Sequence, residues 1–197
     1  MLRYFAFSKP FQVLSQFSAE GSKQTLKDFF PADLPKDIYP VGRLDYDSEG
    51  LLILTNDKQL THRLLEPKFK HKRTYWVQVE GIPTTDALNQ LRNGVFIIVN
   101  GKQHFTAPAD VRLFNDPPGV PDRVPPIRFR KSVPDSWLSL TLTEGKNRQV
   151  RRMTAAVGLP TLRLIRYSIG SISLDGLAPG SYRELGNGEH MLLLSGT

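Results

Sequence analysis

The 197-residue chain contains no cysteine, which excludes disulfide bonds, zinc–thiolate sites and thiol nucleophiles. Histidine is scarce, with only four scattered copies. No apolar run approaches the length of a membrane span, and the apolar stretch at the N-terminus is too short for a signal peptide. We therefore expect a soluble, cytoplasmic protein that has no membrane partner.

Acidic residues are outnumbered by basic ones, 19 to 26, and the formal net charge is +7. The excess lies in two short regions, residues 67–80 and 136–170, each of which contains a single acid. The first region includes the aromatic pair Tyr75 and Trp76. Basic residues interleaved with aromatic ones are typical of proteins that bind single-stranded RNA, because bases stack on aromatic rings. The residues predicted to contact RNA are Lys72, Arg73, Lys146, Arg148, Arg152 and Arg166. For each region taken alone, a solvent-exposed face that binds no partner is the alternative.

The most informative segment is the loop at residues 41–50, in which Asp45, Asp47 and Glu49 fall within five residues. A solvent-exposed turn is one interpretation of such a cluster. A calcium-binding loop is a second, but the twelfth position of that pattern, which requires glutamate, is occupied by Asn56. A magnesium-dependent phosphodiesterase is disfavoured because further ligand motifs are missing from the sequence.

A third interpretation makes Asp45 a nucleophile or a general base. Predicted strands precede and follow the loop, and Arg43 accompanies the aspartate. A carboxylate on a loop that two strands hold in place is a common arrangement for catalysis. We favour this interpretation.

Period-two alternation and turn residues predict more strands than helices. Strands are predicted at residues 4–7, 38–41, 51–55, 75–79, 95–99, 107–113, 137–143, 161–165, 169–174 and 191–194. Helices are predicted at residues 25–29, 58–65, 85–92 and 149–157. Because the strands rarely alternate with long helices, the sequence favours an α+β fold with a mixed or mostly antiparallel sheet and flanking helices.

Local signals support several of these boundaries. The pair Asn56-Asp57 and the residue Thr84 are suitable N-caps for the second and third helices, and Gly94 would end the third. The pair Asn100 and Gly101 is typical of a tight hairpin turn. A proline-rich stretch at residues 114–134 is predicted to be a long surface loop whose basic end, Arg128, Arg130 and Lys131, contacts a phosphate backbone. A flexible linker between two domains is the alternative, but the sequence on both sides is typical of strands.

The last predicted helix has two distinct faces. Val150, Met153 and Val157 share a face that should pack inward. Arg148, Arg151 and Arg152 lie on an adjoining face, where three like charges need a nearby anion. We predict that Asp45 pairs with one of these arginines, since a buried guanidinium would keep a catalytic carboxylate ionised and oriented. An ordinary surface salt bridge to Asp47 or Glu49 is the alternative.

Four motifs in the same order resemble the RsuA family of pseudouridine synthases, and within it the branch that acts on large-subunit ribosomal RNA. The motifs are Gly42-Arg43-Leu44-Asp45 with Asp47-Ser48-Glu49-Gly50-Leu51-Leu52, Arg73-Thr74-Tyr75, Glu144-Gly145-Lys146-Asn147-Arg148-Gln149-Val150-Arg151-Arg152-Met153, and Leu162-Arg163-Leu164-Ile165-Arg166. The resemblance implies that a uridine within RNA is flipped out and isomerised to pseudouridine without a metal or an organic cofactor. It also implies a sheet built from two subdomains.

The resemblance further assigns roles to individual residues. Asp45 would be the nucleophile, Tyr75 would stack on the flipped base, and Arg151 would pair with Asp45. Leu164 would line the uracil pocket together with Arg43. Arg73 stands where the family usually has lysine, a change that keeps the charge but alters its geometry.

We expect a catalytic domain at residues 1–185 and a C-terminal extension at residues 186–197, with no N-terminal RNA-binding domain of the S4 type. The expected partner is ribosomal RNA, with that of the large subunit favoured, or an assembling ribosomal particle. The protein is expected to act as a monomer. The alternative function is a ribosome-assembly factor that binds ribosomal RNA and has no catalytic activity.

Overall fold

The computed structural model describes residues 1–127, 133–186 and 188–194. Thirteen strands are present in this part of the chain. They are β1 (Tyr4–Lys9), β2 (Val13–Leu14), β3 (Gln24–Thr25), β4 (Tyr39–Pro40), β5 (Glu49–Thr55), β6 (Arg73–Glu80), β7 (Phe96–Val99), β8 (Lys102–Phe105), β9 (Asp110–Leu113), β10 (Asp135–Leu142), β11 (Thr161–Ile169), β12 (Ile172–Ser173) and β13 (Tyr182–Glu184).

Four α-helices accompany these strands in the described residues: α1 (Lys58–Leu65), α2 (Thr85–Asn93), α3 (Gln149–Ala156) and α4 (Glu189–Leu194). Single 3₁₀ turns occur at Leu26–Asp28 and Pro67–Phe69. Most strand pairs are antiparallel, and β2 and β3 are parallel. The predicted α+β fold with a mixed, mostly antiparallel sheet is therefore confirmed. No helix in the described residues has the length and apolar character to cross a membrane.

The chain folds into two compact units. The first comprises residues 1–71 and 166–197, and the second comprises residues 72–165. In the first unit, β1 pairs antiparallel with both β5 and β13. Every residue of β5 is buried because its two faces contact different apolar clusters, one containing Leu51 and Ile53 and the other Leu52 and Leu54. A strand covered on both faces reads as a continuous apolar run, as this sequence does.

In the second unit, β10 pairs antiparallel with β6 on one side and with β9 on the other. Inward-facing residues of these strands, such as Val77 and Leu138, form an apolar core with α2 and α3. The predicted inner face of α3 is confirmed, since Val150 and Met153 are buried and Val157 packs against the same core. Strand β11 carries the chain from the second unit into the first.

The predicted bounds of α1, α2 and α3 agree with the structure to within one residue at each end. The Asp57 carboxylate accepts backbone hydrogen bonds at the start of α1, and the Thr84 hydroxyl accepts one at the start of α2. The β7–β8 hairpin turns at Asn100 and Gly101, both with positive φ, as the sequence predicted.

Four predicted elements differ from the structure. The strands expected at residues 161–165 and 169–174 are one long strand, β11, followed by the short β12, and the buried Arg166 lies within β11. The strand expected at residues 191–194 is part of α4, since a short apolar run does not distinguish the two structures. The helix expected at residues 25–29 is only a 3₁₀ turn.

Four strands were missed. Strands β2 and β3 have only two residues each, too few to show an alternating pattern. Strands β8 and β13 are short and largely polar, so they show no apolar alternation. The basic residues Arg128, Arg130 and Lys131 of the predicted loop lie outside the described residues.

Gly50 allows two backbone segments of the first unit to approach each other closely. It has a φ of +110°, and a Cβ at this position would lie 2.4 Å from the carbonyl oxygen of Arg166 and 2.6 Å from its nitrogen. We predict that Gly50→Ala lowers the free energy of unfolding by about 3 kcal/mol or more, because backbone atoms must separate. Chemical denaturation monitored by circular dichroism measures this change.

Gly176→Ala is the matched control, since Gly176 also has a positive φ but has no atom within 4 Å of the added Cβ. It should cost only about 1 to 2 kcal/mol, from the backbone conformation alone. Equal losses in the two variants would contradict the steric account.

Candidate active site

Asp45 lies on the loop between β4 and β5, and its two neighbours in sequence are held on opposite sides. The Ser15 hydroxyl donates to the carbonyl oxygen of Leu44 at 2.9 Å and accepts from the Leu44 nitrogen at 3.1 Å. On the other side, the nitrogen of Gln12 donates to the carbonyl oxygen of Tyr46 at 2.8 Å. The segment after β1 therefore fixes the backbone before and after the aspartate.

The loop is also closed on itself. The Ser48 nitrogen donates to the carbonyl oxygen of Asp45 at 3.0 Å, which forms a tight turn. Leu44 and Ser48 are buried, whereas Asp45 is partly exposed. A carboxylate on a backbone anchored in this way loses little conformational entropy when it meets a substrate.

Lys9, at the end of β1, is buried beside this loop with only 1% of its surface exposed. Its ammonium group donates to the carbonyl oxygens of Pro10 and Val13, both at 2.8 Å. The carboxylates of Glu49, Asp47 and Asp45 lie close enough to favour its charged form. Burial opposes this effect more strongly and lowers the pKa of Lys9 to about 7.

Arg166 is the second buried cation of the first unit. Its Nε donates to the carbonyl oxygen of Leu51 at 2.7 Å, and its charge also acts to lower the pKa of Lys9. A side chain buried to this extent is poorly placed to contact an RNA phosphate, which was the role expected from the sequence. Its setting instead supports a role in holding β5 and the acidic loop.

Sequence reasoning missed Lys9 and Ser15. Because lysine is rarely buried, a lysine at the end of an apolar strand is normally interpreted as the solvent-exposed residue where the strand ends. Ser15 shows no sequence signal, because its partner Leu44 is distant in the chain. Arg43, the basic residue of the loop that the sequence analysis singled out, is exposed.

The other candidate residues lie in the second unit. Tyr75 on β6 is half-buried and packs against the core, and Leu164 on β11 is buried in that core. Arg151 on α3 is half-buried. Asp45 and Arg151 belong to different units, and their pairing stays a prediction.

The predicted RNA-binding residues of the second unit differ in exposure. Lys72, Lys146 and Arg148 are exposed, and Arg73 is half-buried at the start of β6. Arg152 is bound to the protein backbone, where its guanidinium donates to the carbonyl oxygens of Asn147 and Ile98.

Glu144, the acid nearest to these arginines in sequence, is bound to other groups. Its carboxylate accepts from the side chain of Gln149 at 2.6 Å and from the Ala107 nitrogen at 2.8 Å, and it lies 3.3 Å from the His104 ring. Among the described residues, no group of three or more histidine, aspartate or glutamate side chains is arranged to hold a metal ion.

The buried amine of Lys9 makes stability depend on pH. Below about pH 7, Lys9 is charged in both the folded and the unfolded state, and the cost of its buried charge is constant. Between pH 7 and 10.5, only the unfolded chain keeps the proton, so the free energy of unfolding should rise by as much as about 1.4 kcal/mol per pH unit. Urea denaturation at a series of pH values measures this slope.

Lys9→Met is the reference for that titration, because methionine has a similar length and no titratable group. The difference in unfolding free energy between wild type and Lys9→Met should increase in favour of wild type above pH 7. A difference that is constant from pH 6 to pH 10 would show that Lys9 stays charged in the folded protein.

Comparison with known proteins places the chain in one family. The sequence model of the RNA pseudouridylate synthase family matches residues 3–156. The chain is 55% identical over 174 residues to ribosomal large subunit pseudouridine synthase E of Xanthomonas axonopodis pv. citri, covering 87% of this chain and 88% of that protein. The protein of the same name from Vibrio vulnificus is 50% identical over 179 residues, covering 91% of this chain and 73% of that protein.

A solved structure described as the crystal structure of pseudouridylate synthase superposes with a TM-score of 0.79 at 29% identity, covering 98% of this chain and 74% of that one. The resemblance seen in the sequence motifs is thus confirmed. The chain belongs to the family of RNA pseudouridylate synthases.

Proposed function

We propose that this protein isomerises a uridine in ribosomal RNA to pseudouridine, with Asp45 as the nucleophile. The observation that carries the proposal is the anchoring of Asp45, whose neighbours are hydrogen-bonded to Ser15 and Gln12 while Asp45 itself is partly exposed. The family and the names of the relatives support the reaction and the class of RNA.

The reaction conserves the atoms of the nucleoside. The bond from N1 of uracil to the sugar breaks, the base turns while it is held, and carbon five forms a new bond to the same sugar carbon. The hydrogen of carbon five leaves as a proton, and N1 gains a proton. No oxidant or reductant is needed, so the reaction requires a nucleophile, a group that accepts the proton of carbon five and a site that holds the base.

An aspartate can reach a uridine in RNA only after the base is unstacked. Unstacking costs a few kcal/mol, which contacts to phosphates and stacking on aromatic rings must offset. The exposed Lys72, Lys146 and Arg148 are suited to the phosphate contacts. The proposal keeps the roles that the resemblance implies for Tyr75, Arg151, Leu164 and Arg43.

The proposal also specifies which ribosomal RNA is the substrate. The relatives bear the name of large-subunit enzymes, and we propose a uridine of the large-subunit RNA, in free form or in an assembling particle. We propose that a monomer carries out the reaction.

Asp45→Asn should abolish pseudouridine formation and leave RNA binding intact, since it removes the nucleophile and keeps the shape of the side chain. The substrate is ribosomal RNA, or isolated large subunits, from cells that lack this protein. Carbodiimide-dependent stops in reverse transcription, after incubation with excess EDTA, locate each pseudouridine. Wild type should give one new stop, and the variant should give none.

Asp47→Asn is the matched control, because it removes the same charge from the same loop and leaves Asp45 in place. It should retain most of the activity. If neither wild type nor any variant produces a stop while all of them bind RNA tightly, the protein is a non-catalytic binding factor and the proposed reaction is wrong.

The proposed phosphate contacts imply a specific salt dependence. Lys146→Gln and Arg148→Gln should each weaken RNA binding and reduce the slope of log affinity against log salt by about 0.7 to 1, because each removes one cation that neutralises a phosphate. Filter binding at several KCl concentrations gives the slopes.

Lys58→Gln is the control. It replaces an exposed lysine on α1 of the first unit and should leave the slope unchanged. Equal slopes in all four proteins would refute the roles of Lys146 and Arg148.

A further inference from the structure

The β7–β8 hairpin presents an unusually apolar outer face. Phe96, Ile98 and Phe105 project from it with 60%, 54% and 52% of their surface exposed. Phe96 and Phe105 are cross-strand partners, and their ring centroids lie 4.8 Å apart at an interplanar angle of 60°. Scattered exposed apolar residues are common, but two phenylalanines and an isoleucine on one face of a hairpin suggest a binding surface.

The backbone beneath this face is held firmly. Ile97 points to the opposite side of the hairpin and is buried in the core of the second unit. Val95 and Thr106 exchange hydrogen bonds at the open end of the hairpin, each of 3.0 Å. The aromatic rings therefore stand on a fixed support, and little conformational entropy would be lost when a flat partner stacks on them.

The surroundings of the hairpin are positively charged. Residues 94–107 contain no aspartate or glutamate, and Lys102 is exposed beside the turn. Helix α3 packs against β7, and the Arg152 guanidinium reaches the carbonyl oxygen of Ile98. Glu144, whose carboxylate lies 3.3 Å from the ring of His104 on β8, also accepts hydrogen bonds from Gln149 and Ala107.

We propose that the outer face of the β7–β8 hairpin is a stacking surface for unpaired nucleotides of the RNA substrate, with Phe96 and Phe105 contacting the bases. This inference rests on the proposed function and adds a base-binding surface outside the candidate active site. Exposed aromatic rings on a sheet surface beside cations match the chemistry of single-stranded RNA, whose bases are flat and whose backbone is anionic. A stable protein partner would need about 800 Å² on each side, far more than three side chains present.

The test uses the double variant Phe96→Ser/Phe105→Ser and a fluorescein-labelled single-stranded RNA of mixed sequence, about 12 nucleotides long. Fluorescence anisotropy at several KCl concentrations gives the affinity and its salt slope. The affinity should fall by roughly 5- to 150-fold for each base that no longer stacks. The salt slope should not change, because stacking releases no counterions.

Two controls accompany the double variant. Ile82→Ser removes an apolar side chain that is 71% exposed and lies outside the hairpin, and it should bind RNA like wild type. Phe96→Tyr/Phe105→Tyr keeps both rings and should restore the affinity. Because the substituted side chains are exposed, all of these variants should keep the circular dichroism spectrum and melting temperature of wild type.

Three results would overturn the proposal. The serine variant could bind as tightly as wild type, its reduced affinity could come with a reduced salt slope, or sedimentation could show a wild-type dimer that the serine substitutions dissociate.

The pseudouridine assay separates this proposal from the proposed function. If wild type produces pseudouridine and the serine variant binds normally, only the stacking surface is wrong. If affinity falls as expected and wild type produces no pseudouridine, only the reaction is wrong.

Discussion

The double hydrogen bond between the Ser15 side chain and the backbone of Leu44 is the contact on which the candidate active site depends. It joins the segment after β1 to the loop before β5, two parts of the chain that are 29 residues apart. Without it, the nitrogen and the carbonyl oxygen of the buried Leu44 would both lose this partner, and the residue before Asp45 would no longer be fixed. The bond from Gln12 to Tyr46 restrains the other side of the aspartate. Asp45 therefore owes its position to tertiary contacts more than to the turn in which it lies.

The buried charges beside the loop also help to fix its position. Lys9 and Arg166 donate to backbone carbonyl oxygens, and Lys9 also lies near carboxylates, so burying these cations costs less than burying isolated ones. Gly50 allows β5 to approach the backbone of Arg166 where a side chain would collide with it. Strand β5, which follows the loop, is therefore fixed by close contacts that allow few substitutions. A catalytic carboxylate requires this kind of rigid mounting.

The sequence was most informative where structure is determined locally. The caps Asp57 and Thr84 located the starts of α1 and α2, and Asn100 with Gly101 located the hairpin turn. It was least informative where distant residues decide the outcome. The buried Arg166 lies within a continuous β11, and the packing of Leu193 in the core of the first unit accompanies a helix where a strand was expected.

The same distinction holds for the candidate site. The acidic loop and the arginine helix could be found from residue type and spacing, and the family resemblance gave them a reaction. Lys9 and Ser15 could not be found, because their importance arises from burial and from partners that no spacing reveals. The stacking surface on the β7–β8 hairpin was hidden for a related reason. Phe96 and Phe105 look like core residues in the sequence, and only the fold shows that they face outward.

The most direct test of the account follows the hydrogen that must leave carbon five of the target uridine. Large-subunit RNA, labelled with tritium at that carbon and taken from cells without this protein, would be incubated with excess purified enzyme, both as free RNA and as isolated subunits. Wild type should release tritium into water to a plateau of one per RNA molecule, and Asp45→Asn should release none. If wild type binds both substrates and releases no tritium, or if Asp45→Asn releases it at the wild-type rate, the central claim is contradicted.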